Sequence, residues 1–217
     1  HMTTCALVAA SDFNADHFKA LNDAGGFDYI VAVDAGFAYL EKLGVKPDLA
    51  IGDFDSLGYV PKARRVSKHP QHKDQSDLEL ALERVSTRRY SHVHVYGALG
   101  GRLDHTLANL QLFASYAEQG FDITAIDMDC ALRVLVGPDA FDLPPFKSGT
   151  VSVFSATDFS HGVSERGLEY PLDDADLTNR TSLGLSNELI GQEAAVSVAE
   201  GTLYVFYPLA DSAAVSE

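Results

Sequence analysis

The residues able to do chemistry are carboxylates set among glycines. Gly52-Asp53-Phe54-Asp55-Ser56 places two acids two residues apart, and Gly97-Ala98-Leu99-Gly100-Gly101-Arg102-Leu103-Asp104-His105 is a side-chain-poor run with one arginine. If the first run is extended, Asp53 and Asp55 project to the same side, because strand side chains repeat every second residue. Paired acids hold a divalent cation, whereas a glycine-rich turn and a guanidinium accept phosphate oxygens. Together the two runs point to a magnesium–nucleotide site.

Each feature has a plainer reading beside it. Asp and Gly favour turns for local hydrogen-bonding reasons. Asp104 reads equally as a helix N-cap, and Asp77 as a favourable charge in a first helical turn. Lys73, just before the Asp74–Asp77 cluster, is either a phosphate contact or a solvated lysine. Gly97–Arg102 lacks the Gly-Lys-Ser/Thr ending of a P-loop, and its glycines are wrongly spaced for a dinucleotide fingerprint. His92 with His94, and His69 with His72, have chelating spacing, but no cysteine pair or HExxH supports zinc.

The elements that must position these groups alternate in type. Strand-like runs occur at Cys5–Ala10, Tyr29–Val33, Leu49–Ile51, His92–Tyr96, Ile123–Ile126 and Leu132–Val136. Phe37–Leu43 reads as a helix stopped by Gly44 and Pro47. Ser76-Asp77-Leu78-Glu79 reads as a capping box ahead of an apolar face of Leu78, Ala81, Leu82 and Val85. Asp104 opens a further helix, with Leu107, Leu110 and Phe113 on one face. This alternation predicts a Rossmann-like, largely parallel sheet flanked by helices over residues 3–137. In such a sheet ligands bind beyond the carboxyl ends of the strands, where Asp34, Asp53, Asp55 and the glycine-rich loop all fall. Residues 138–148 carry three prolines and read as a linker. Short alternating runs at Thr150–Ala156, Val163–Tyr170, Ala194–Ala199 and Leu203–Tyr207 then predict an all-β sandwich or partial barrel over 149–217, with Glu200-Gly201 as a hairpin turn.

Bulk properties narrow the function classes. The 217 residues carry a formal charge of −15, with 46% hydrophobic residues, a pI near 4.7 and a mean hydropathy of −0.02. That acidity argues against a nucleic-acid partner, so an anionic nucleotide needs local positive charge or a metal. No apolar run is long enough to span a membrane, and no signal-peptide pattern is visible. His1-Met2 reads as an expression-vector remnant. Cys5 and Cys130, two thiols without a cysteine-rich framework, fit a reducing cytoplasm.

Taken in order, Asp34-Ala35-Gly36, Pro47-Asp48, Gly52–Ser56, Lys73–Asp77, Gly97–His105 and Asn109 resemble the thiamine pyrophosphokinase family. In the second half, Gly167-Leu168-Glu169-Tyr170-Pro171-Leu172 and Leu185-Ser186-Asn187-Glu188 look like that family's C-terminal signatures. The resemblance runs from about residue 5 to 208. It implies a cytoplasmic homodimer that transfers a pyrophosphoryl group from ATP to thiamine with Mg2+, giving thiamine diphosphate and AMP. It further implies that Asp34, Asp53, Asp55 and Asp77 serve the metal. Asp55, Asp77 and Asp104 would serve catalysis, and Lys73, Gly97, Gly100, Gly101 and Arg102 the phosphates. Tyr170, Ser186 and Asn187 would serve thiamine. The chain departs from the family where Ala35 replaces a usual glycine, where Ala9–Phe13 replaces a glycine-containing turn, and where Tyr170 stands in place of a frequent tryptophan. The competing readings are a pyrophosphokinase for another hydroxymethyl heterocycle such as a pterin, a kinase forming a monophosphate, and a catalytically silent thiamine or nucleotide sensor.

Overall fold

A computed structural model describes residues 3–69, 74–88 and 90–213. The chain divides into two compact units, His1–Leu112 with Ile123–Met128, and Phe113–Asp122 with Asp129–Glu217.

The first unit is built on strands β1 (Thr4–Val8), β2 (Tyr29–Val33), β3 (Leu49–Gly52), β4 (Arg65–Lys68), β5 (His92–Tyr96) and β6 (Asp122–Ile126). β5, β1, β2, β3 and β4 lie side by side in that order, every neighbouring pair parallel. β2 and β3 are buried throughout, which is why Tyr29–Val33 and Leu49–Ile51 read as continuous apolar runs rather than as alternations. The helices are α1 (Ala15–Asp23), α2 (Phe37–Lys42), α3 (Asp77–Ser86) and α4 (Leu103–Glu118), of which α4 belongs to this unit as far as Leu112 and to the second from Phe113. α3 starts where the capping signal places it: the Glu79 N–H donates to Ser76 Oγ at 3.2 Å, and Leu78, Ala81, Leu82 and Val85 are buried. α4 differs from expectation. Phe113 is fully buried, but Leu107 is 57% exposed, so its apolar face is covered only toward its C-terminal end.

The second unit is antiparallel and packs as a sandwich. Its strands are β7 (Cys130–Val136), β8 (Asp139–Asp142), β9 (Thr150–Ser155), β10 (Phe159–Arg166), β11 (Leu172–Thr178), β12 (Asn187–Glu188), β13 (Ala195–Val198) and β14 (Thr202–Pro208). One layer runs β12-β9-β14-β7 and the other β11-β10-β13-β8. Val151, Val153, Val163, Leu177, Val196, Leu203 and Val205 fill the space between them; each such side chain contributes about 1.5–3 kcal/mol by leaving water.

Three expectations change here. Part of the expected 138–148 linker is strand β8, whose residues pair with β13. β7, expected with the first domain, pairs antiparallel with β14 and belongs to the second unit. Glu200-Gly201 is not a hairpin turn: β13 pairs with β8 and β10, whereas β14 pairs with β7 and β9. The turn carries the chain from one layer of the sandwich to the other, a route that local turn chemistry does not encode. No helix among the described residues is long and apolar enough to cross a membrane.

Candidate active site

Three loops at the carboxyl edge of the parallel sheet bring acids together. Asp34 follows β2 directly and opens a 3-10 turn, Asp34–Gly36, in a left-handed conformation with φ of 50°. Gly36 is the residue that must lack a side chain there, because a Cβ would lie 2.1 Å from the Val8 carbonyl oxygen. Ala35, where the family's usual glycine is absent, is only half-buried. After β3, Phe54 also turns left-handed, with φ of 65°, and sinks its ring until it is 5% exposed. The segment is therefore a turn rather than a strand, and the two-residue alternation expected of Asp53 and Asp55 does not apply. Asp53 is half-buried and Asp55 exposed. Asp77 arrives from the first turn of α3.

One carboxylate oxygen from each of Asp34, Asp53 and Asp77 lies within 4.8 Å of the others. The Phe54 N–H donates to Asp34 Oδ1 and the Asp55 N–H to Asp53 Oδ1, both at 3.0 Å. Burial, reinforced by the neighbouring Asp53 carboxylate, pushes the Asp34 carboxyl above the usual range. Burial, then the charges of Asp34 and Asp53, push Asp77 up to about 6. Three crowded oxygen donors whose charges repel one another fit a hard divalent cation such as Mg2+, which favours carboxylate oxygens. Asp55 is outside this trio.

The glycine-rich loop leaves β5 on the same sheet edge. Gly97 has φ of 68°, and a Cβ there would stand 2.2 Å from the Ala9 carbonyl oxygen. The segment after β1 braces it: the Ser11 N–H donates to the Gly97 carbonyl at 2.7 Å, and the Tyr39 hydroxyl donates to the Ser11 carbonyl at 2.8 Å. Asn109 Nδ2 ties α4 to the Ala98 carbonyl at 2.8 Å. Arg102 grips Asp104 through two bonds, Nε to Oδ1 at 3.1 Å and Nη2 to Oδ2 at 2.7 Å. That pairing lowers the Asp104 carboxyl below its ordinary value. Both side chains are exposed, so Arg102 can exchange this partner for a phosphate at little desolvation cost. Lys73 lies outside the described residues.

In the second unit, Tyr170, Ser186 and Asn187 line one cavity of about 330 Å³ with Leu183 and Leu185. Tyr170 is 65% exposed and Asn187 6%. The same wall holds Glu165, a carboxyl only 1% exposed, which the sequence reading passed over as one more residue of a strand.

Comparison with known proteins supplies the family. Residues 24–125 match the family model for thiamin pyrophosphokinase, catalytic domain, and residues 142–203 that for thiamin pyrophosphokinase, vitamin B1 binding domain. The chain is similar to thiamine pyrophosphokinase of Bacillus subtilis (strain 168), 30% identical over 181 residues that span 80% of this chain and 84% of that protein. The crystal structure of thiamine pyrophosphokinase from Bacillus subtilis matches with a TM-score of 0.81 at 27% identity, over 95% of this chain and 99% of the other. A thiamin pyrophosphokinase family protein from Enterococcus faecalis matches with a TM-score of 0.79 at 27% identity, over 96% of this chain and all of the other. An acid cluster, a glycine-rich loop and a β-domain pocket thus coincide with matches over both halves of the sequence, and the chain belongs to the thiamine pyrophosphokinase family.

Proposed function

We propose that the protein is a thiamine diphosphokinase that transfers the pyrophosphoryl group of ATP to the thiamine hydroxyl, releasing AMP. The observation that carries this reading is the meeting of Asp34, Asp53 and Asp77 within 4.8 Å, in a chain whose two halves match the family's catalytic and vitamin-binding models.

In this reading Asp34, Asp53 and Asp77 hold Mg2+, with Asp55 beside them. When bound there, such an ion would offset phosphate charge as a Lewis acid. The backbone amides of Gly97, Gly100 and Gly101, with Arg102 and Lys73, cradle the phosphates. They stabilise the charge that grows on the phosphate oxygens during in-line attack. Asp55 adds its charge to the catalytic acids, and Asp77 or Asp104 orients the hydroxyl and takes its proton late, because a carboxylate is too weak a base to ionise a free alcohol first. Tyr170, Ser186 and Asn187 form the thiamine pocket, with the exposed phenol ring offering an aromatic face to a cationic heterocycle. The protein works as a cytoplasmic homodimer, without nucleic-acid or membrane partners.

Phosphorus NMR of a mixture of protein, thiamine, ATP and Mg2+ tests the reading. AMP with thiamine diphosphate is expected. ADP with thiamine monophosphate would overturn the transfer chemistry, and no turnover would overturn the enzyme assignment.

A further inference from the structure

Asn187 has no hydrogen-bonding capacity left for a ligand. Its Oδ1 accepts from the Tyr170 N–H at 3.0 Å and the Glu188 N–H at 2.9 Å. Its Nδ2 donates to the Tyr170 carbonyl at 2.8 Å and to Glu165 Oε1 at 3.3 Å. A primary amide offers two donors and two lone pairs, and all four are in use. Asn187 therefore builds the pocket wall.

Glu165 is the polar group in that wall with capacity to spare. Oε1 takes the Asn187 amide, and among the described residues Oε2 has no hydrogen-bond partner. Its cross-strand neighbours are Leu172 and Val196, both apolar, and the titratable side chain that shares the pocket is the Tyr170 phenol. Burial, only partly offset by the Asn187 hydrogen bond, pushes the carboxyl up to about 7. At neutral pH a large fraction is thus a carboxylic acid, which presents an O–H donor beside a C=O acceptor. Asn187 approaches as a donor, which fixes Oε1 as the acceptor and leaves the proton to Oε2. That edge is complementary to an aminopyrimidine, whose ring nitrogen accepts and whose exocyclic amine donates.

We propose that Glu165 is the residue that reads the aminopyrimidine ring of the substrate, through paired hydrogen bonds from its carboxyl edge, and that Asn187 is its positioning residue. The proposal rests on the thiamine reading above. It gives the pocket a discriminating element as well as an apolar lining, since a site built to pair a substrate N–H rejects an analogue that lacks it.

The test compares thiamine with its analogue bearing an oxo group in place of the 4-amino group. Wild-type protein is expected to favour thiamine; equal kcat/KM for the two overturns the proposal without any variant. Glu165→Leu should lower kcat/KM for thiamine by about 10–100-fold, as loss of two buried hydrogen bonds implies. The loss should fall mainly on KM, with KM for ATP unchanged, and the preference over the oxo analogue should collapse. Glu165→Gln restores a donor beside an acceptor and should recover thiamine KM to within about threefold of wild type. A folded Glu165→Leu that keeps the wild-type preference overturns the proposal, and so does a folded Glu165→Gln as impaired as the leucine variant. Absence of AMP from the wild-type reaction would instead refute the thiamine reading itself.

Discussion

Replacing Asp77 by asparagine should make the metal-free protein more stable while disabling it. The Asp77 carboxyl is pushed from an ordinary 3.8 to about 6 by burial and by the charges of Asp34 and Asp53. Taken at face value, a shift of that size opposes the folded state at neutral pH by about 3 kcal/mol, at 1.36 kcal/mol per pKa unit. Partial exposure screens it, so about half survives. The asparagine also loses a favourable negative charge in the first turn of α3, worth about 0.3–1 kcal/mol. The net gain is about 1 kcal/mol, or about 2–4 °C in apparent melting temperature for a chain of this size. The sign depends on pH in a defined window. Between 3.8 and about 6 the folded protein retains a proton that the unfolded chain has released, so the wild type loses stability as pH rises through that range. The advantage of Asp77→Asn should be absent near the lower limit and complete by neutrality. Urea or thermal unfolding with a chelator present, across that range, measures it. Equal or lower stability of Asp77→Asn at neutral pH would refute the claim that crowded carboxylates strain the empty site. Added Mg2+ should then stabilise the wild type more than the variant.

Asp53→Asn should cut the rate of AMP release by about 100-fold or more at saturating Mg2+, as loss of a major electrostatic contact does; a near-normal rate would remove Asp53 from the site. Gly97→Ala must fit a Cβ 2.2 Å from the Ala9 carbonyl oxygen at φ of 68°. A loss of about 1–3 kcal/mol from backbone strain is expected in urea unfolding, together with weaker ATP binding by calorimetry. Ser76→Ala removes the oxygen that accepts the Glu79 N–H and should cost about 1 kcal/mol, read from the same unfolding curves. Asn187→Leu leaves the amide partners of its Oδ1 unpaired and should cost about 1–3 kcal/mol, with a rise in thiamine KM.

Much of the parallel half was legible because β2 and β3 are buried throughout and α3 opens on a side-chain N-cap. Tyr29–Val33 and His92–Tyr96 were read with the boundaries they have in the structure, and Ser76 caps α3 as its sequence indicates. The strands that escaped notice are short or charged. β4 is Arg-Val-Ser-Lys, β8 lies among prolines, and β11 reads Leu-Asp-Asp-Ala-Asp-Leu-Thr; in each, long-range pairing overrides weak local propensity. At the site, the order of motifs indicated the right sheet edge but not which acids meet. The left-handed turn at Phe54 decides that, by separating Asp55 from Asp53. Glu165 was invisible because its meaning depends on a cavity formed with residues 183–187, far along the chain.

β11 is an edge of its layer, paired to β10 on one side. Such a strand displays unsatisfied N–H and C=O groups to any passing chain. Asp173, Asp174 and Asp176 are all exposed along it, and Asp174 breaks the strand's regularity with φ of 50°. Three like charges and a kink make a second copy a poor partner for that edge, so the acidity that weakens β11 as a strand also protects the protein from fibrous self-association.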